Sequence, residues 1–117
     1  MSMPDPLASR RAEERVEVSW SVDCRSEETF LYACITNVSA LGLFVRTDVP
    51  LAVGTCVRLS FSPDGGPAFD LPGEVAWVNE DVLHSRNPGM GIRFVDLVAD
   101  DRERLVEVIH TIAYVRP

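Results

Sequence analysis

The stretch VEVSWSVDCR, residues 16–25, sets the reading of the chain. Val16, Val18, Trp20, Val22 and Cys24 fall on one side of an extended backbone. Glu17, Ser19, Ser21, Asp23 and Arg25 fall on the other. A period of two marks a strand with one face buried. SEET (26–29) then turns the chain, and FLYACIT (30–36) reads as a second strand, apolar on both sides and so expected to be central. NVSALG (37–42) is a tight connection to a third strand, LFVRT (43–47), and DVPLAVGT (48–55) is a loop. Alternation returns in 56–62, PDGG (63–66) turns, and a fifth strand covers about 71–79, its start limited by Pro72. After the loop EDVLHSRNPG (80–89), MGIRFVDL (90–97) is the sixth.

The period changes only at the end. Leu105, Val108, Ile109 and Ile112 are spaced i, i+3, i+4, i+7, one face of a helix. Asp100 is placed to cap it, with Glu103 as the capping-box partner three residues on. Six short strands followed by one helix predict an all-β fold with a C-terminal helix, a six-stranded antiparallel barrel. Residues 1–9 contain two prolines and little apolar mass, and are expected to form a flexible tail ahead of one domain at 10–117.

The 117 residues carry a formal net charge of -7. That argues against a nucleic-acid polymer or an anionic membrane as partner, since neutralising many phosphates takes a basic face. Cys24, Cys34 and Cys56 are odd in number and form no C-x-x-C pair, and only His84 and His110 could join them. The expectation is therefore no disulfide framework and no metal site, with the cysteines as small apolar fillers in a reducing compartment. The opening MSMPDPLAS has no apolar core of a signal peptide, and no apolar run nears the ~20 residues of a membrane span. A soluble cytoplasmic protein without membrane insertion is expected. Ser39 lacks a G-x-S-x-G setting, neither histidine has triad-like neighbours, and no carboxylate pair suits acid–base work, so neither an enzyme nor a cofactor is expected.

Against that acidity, RRAEER (10–15) places Arg10, Arg11 and Arg15 within six residues. Arg10 with Glu13 and Arg11 with Glu14 could form ordinary surface pairs. In isolation that is the ordinary behaviour of a surface charge run. The alternative is a clamp, in which three planar, forked guanidiniums grip phosphate bidentately and pair with or stack on a purine. Downstream, Asn37 and Ser39 are two apart and would point to the same side of an extended chain. Gly42 would permit close approach to the backbone. Arg93 lies opposite Ile92 and Phe94 on the last strand and could face a ligand or solvent. Trp20 and Trp77 read as core or interface residues.

RRAEER fits R-R-x-x-x-R, NVSALG fits [D/N]-x-S-x-x-G, and GMGIRFVDL precedes an acidic-started helix. Together these resemble the PilZ domain, a bacterial receptor domain for cyclic di-GMP. The resemblance spans about residues 9 to 112. It implies a six-stranded PilZ-type barrel with cyclic di-GMP as ligand. It also implies that Arg10, Arg11 and Arg15 bind phosphates and guanine, and that Asn37, Ser39 and Gly42 contact a guanine. Arg93 is a candidate accessory contact from its place on the strand alone. Nine residues precede the arginine motif. The expectation is a stand-alone receptor that passes its signal to an effector protein when its arginine segment becomes ordered on the barrel. The alternative is a PilZ-type adaptor that works without nucleotide. A small barrel with exposed apolar strands could also pair as a homodimer.

Overall fold

The alternation of residues 16–25 closes into a barrel. A computed structural model describes residues 14–81 and 87–115. The strands are β1 (Val16–Arg25), β2 (Phe30–Val38), β3 (Gly42–Arg46), β4 (Cys56–Phe61), β5 (Phe69–Asn79) and β6 (Gly89–Phe94), followed by helix α1 (Ala99–Val115). All pairs are antiparallel, and the order β1-β2-β3-β6-β5-β4 closes because β1 pairs with both β2 and β4.

Inward-facing residues of every strand fill the barrel, among them Trp20, Val22, Ile35, Leu43, Leu59, Leu71, Val75 and Met90. Leu105 and Ile109 of α1 join this core, while Val108 and Ile112 pack at its edge. The helix covers the end of the barrel where Trp20, Phe61 and Phe69 stack at centroid distances of 5.9 and 5.3 Å. Arg104 fastens it there. Its guanidinium lies 4.6 Å from the centre of the Phe69 ring and donates to the Ala68 carbonyl at 3.1 Å and to Asp101 at 3.2 Å.

Several expectations change. In a closed barrel every strand has two neighbours but only one buried face. The outward Phe30 and Tyr32 of β2 are accordingly 59% and 73% exposed rather than covered. Pro72 lies inside β5, opposite Arg58, and does not limit its start. Its carbonyl points toward β6, past the last ladder pair Gly73–Phe94, and accepts from Val95 N–H. The proline's missing N–H faces that same side and breaks no bond to β4. The last strand stops at Phe94, and Asp96 takes a left-handed φ of 50°. The helix starts at Ala99, so Asp100 sits in its first turn with Asp101 and complements the helix dipole instead of capping. Of the cysteines, Cys24 is a core filler, Cys34 is half-buried and Cys56 is exposed. No helix among the described residues is long and apolar enough to cross a membrane.

Candidate functional site

Three register slips interrupt the barrel's regular alternation. One lies between Glu17 and Trp20 of β1, one between Ile35 and Asn37 of β2, and one between Val75 and Trp77 of β5. Each extra residue bends its strand and re-aims the side chains beyond it, as bulges beside functional sites do. Ile35 and Val75 point into the core. Two residues on, strict alternation would send Asn37 and Trp77 inward as well. The slips turn them outward, where they join one cross-strand row, Asn37–Phe44–Gly91–Trp77. The next row is Gly42–Arg93–Glu74.

Apart from Glu74, the residues of these rows line a groove of about 420 Å³, within the usual size range of small-molecule sites. Arg15 stands at its edge, and its Nη1 donates to Oδ1 of Asn37 across 22 residues of sequence. Arg93 lies on the lining and pairs with Glu74 across the β5–β6 ladder at 3.3 Å. Trp77 is 53% exposed. Its indole lies over Gly91, where a Cβ would fall 2.0 Å from the ring nitrogen, and leans on buried Phe44 at a centroid distance of 5.3 Å. Among the described residues the groove therefore presents two guanidiniums, the Asn37 amide and an aromatic plane with one face backed by protein. Guanidiniums suit phosphate, and a supported indole suits a flat base.

The second motif divides. Asn37 lines the groove, but Ser39 is 1% exposed and does not. The Ser39 hydroxyl accepts from Leu41 N–H at 3.1 Å and donates to the Gly42 carbonyl, and its own N–H donates to that carbonyl at 2.8 Å. It closes the β2–β3 turn rather than sharing a shelf with Asn37. Gly42 does permit close approach, and what approaches is β6: a Cβ there would lie 2.2 Å from the Ile92 carbonyl oxygen. Arg10, Arg11, Glu13, His84 and Arg86 lie outside the described residues.

Sequence reasoning misses Trp77 because alternation from Val75 places it in the core. Its outward turn depends on a slip that alternation does not reveal. A second hollow, of about 500 Å³, opens beside β1 and β4 around Ser19, Ser21, Tyr32 and Ser60. Among the described residues its lining holds no arginine, so it offers an anion nothing comparable. No group of three His, Cys, Asp or Glu among the described residues could hold a metal ion.

The sequence pattern of the PilZ domain matches residues 9–110. The chain belongs to the PilZ domain family. Solved structures share the architecture. The Bacillus subtilis inhibitor of motility MotI/DgrA superposes with a TM-score of 0.73 at 18% identity, over 87% of this chain and 50% of that one. This PilZ domain thus spans about half of the MotI chain. The PilZ domain of CeSA from a cellulose-synthesizing bacterium gives 0.65 at 12% identity, over 87% of this chain and all of the other. The PilZ domain of YcgR from Escherichia coli, solved with c-di-GMP, gives 0.70 at 11% identity, over 86% and 88% of the two chains. At such identities the likeness is one of fold. No curated protein sequence matches the chain.

Proposed function

We propose that this PilZ domain is a cytoplasmic, non-catalytic receptor for cyclic di-GMP that signals to an effector protein by ordering its arginine segment on the barrel. The observation that carries the reading is the meeting of the two motifs. Arg15 bonds Asn37 at a groove that also holds Arg93 and the half-exposed ring of Trp77. Cyclic di-GMP is a dianion with two guanines, so it asks for cations and a stacking surface in one place. Arg11 and Arg10 are four and five residues before Arg15. At ~3.3–3.6 Å per extended residue they have the reach to close over a ligand lying there. Of the second motif, Asn37 is the direct contact in this reading, while Ser39 and Gly42 hold the turn that presents it.

Calorimetric titration of the purified protein with cyclic di-GMP tests this. Saturable binding is expected. Arg15→Ala should weaken it by about ten- to a hundredfold, the range for losing one charge-assisted hydrogen bond. Arg15 is exposed, so its loss should leave the melting temperature of the free protein nearly unchanged. A wild-type protein that takes up no nucleotide would sink the proposal and leave the adaptor that works without it.

A further inference from the structure

The groove's two described arginines are held differently. Arg15 is bonded to a neutral amide, whereas Arg93 is paired with a full negative charge, Glu74. Glu74 stands directly opposite Arg93 on β5, and its other ladder neighbour, Cys56 on β4, carries no cation. The Arg93 side chain is 60% exposed and that of Glu74 32%, and Arg93 is on the groove lining while Glu74 is not.

We propose that Glu74 is a built-in counter-ion, occupying Arg93 in the empty groove and giving it up when a ligand phosphate arrives. This rests on the nucleotide reading above. A guanidinium has five donors in a fixed fork, and the Glu74 contact runs through Nη2, so the two anions contest the cation's charge rather than its last free donor. Two anions on one guanidinium also repel each other. Exchange is therefore the low-energy course, and breaking the Arg93–Glu74 pair is subtracted from ligand affinity. Glu74 thereby sets the working range of the receptor. A simple anion gains little by replacing one carboxylate, while a nucleotide adds stacking and contacts to Arg15 and Asn37.

The test compares wild type, Glu74→Gln, Arg93→Ala and the double variant by calorimetric titration with cyclic di-GMP at low and high salt. Glutamine keeps the shape and removes the charge. Glu74→Gln should bind about two- to fivefold tighter at low salt, the range that partly exposed ion pairs span. The gain should shrink at high salt and vanish when Arg93 is alanine. Without ligand, Arg93 should also react faster with the arginine reagent phenylglyoxal in Glu74→Gln, as read by peptide mass. Binding by wild type with equal or weaker binding by Glu74→Gln overturns the counter-ion role and leaves the receptor standing. A gain that survives Arg93→Ala overturns it too, since Glu74 would then act by direct repulsion. Absence of binding in wild type and Glu74→Gln alike overturns both proposals.

Discussion

Cys24 lies on the inner face of β1 with none of its surface exposed, and burial pushes its thiol from 9.0 up to about 11. Burial penalises the thiolate because a charge loses its water there. The consequence for stability has a definite sign. The unfolded chain releases this proton near 9, while the folded chain holds it to about 11. The contribution of Cys24 is thus fully present below about pH 9 and is lost as pH rises through 11, by roughly 2–3 kcal/mol at ~1.4 kcal/mol per unit. All eleven basic residues are arginine, so no lysine titrates in that window. Denaturant unfolding of wild type and Cys24→Ala between pH 8 and 11.5 should show the stability difference narrowing as pH rises. A constant difference would mean that the buried thiol ionises as freely as an exposed one.

Between strands, two glycines do different work, and the same substitution should separate them. At Gly42 an added Cβ would meet the backbone of Ile92 and Arg93, which cannot move without parting β3 from β6. Gly42→Ala should cost at least the ~1–3 kcal/mol typical of overpacking, read from denaturant unfolding. At Gly91 the obstacle is the side chain of Trp77, which is half-exposed and can swing away. Gly91→Ala should keep most of the stability, yet shift Trp77 fluorescence and weaken nucleotide binding by removing the supported ring. If Gly91→Ala binds as wild type with unchanged fluorescence, the ring over Gly91 is not part of the site. Helix α1 sets Leu105 and Ile109 into the barrel's own core.

At the level of the molecule, the proposed receptor uses the closed barrel as the base on which its arginine segment becomes ordered. Hydrogen exchange should show residues 9–15 gaining protection when cyclic di-GMP is added, while the β1–β6 core, already protected, changes little. Binding to the folded state alone should also raise stability by about 2.7 kcal/mol at a hundredfold excess over Kd, visible as a rise of several degrees in melting temperature. A melting shift without added protection of residues 9–15 would keep the ligand and discard ordering as the signal. The exposed Phe30 and Tyr32 on β2 lie away from the groove, so a partner seated there would leave it open.

The strands and helix were legible in local periodicity, because a half-buried element must repeat its apolar residues at its own geometric period. Val16 through Cys24 and Leu105 through Ile112 carry that signal in the sequence. The arginine run and NVSALG were legible as a pair through their resemblance to the PilZ motifs, and the family match over residues 9–110 agrees. What alternation could not convey was where it fails. The slips at Ile35–Asn37 and Val75–Trp77 turn an amide and an indole from the core to the groove. Ser39 is parted from Asn37 by the β2–β3 turn itself, which its hydroxyl closes. Nothing local dictates an extra residue in a strand. A bulge persists because barrel closure bends the strands there and because the partner strand, with Gly91 beneath Trp77, leaves room for the side chain turned outward. The pairing of Arg93 with Glu74 has the same origin, since only the β5–β6 register brings residues 74 and 93 face to face.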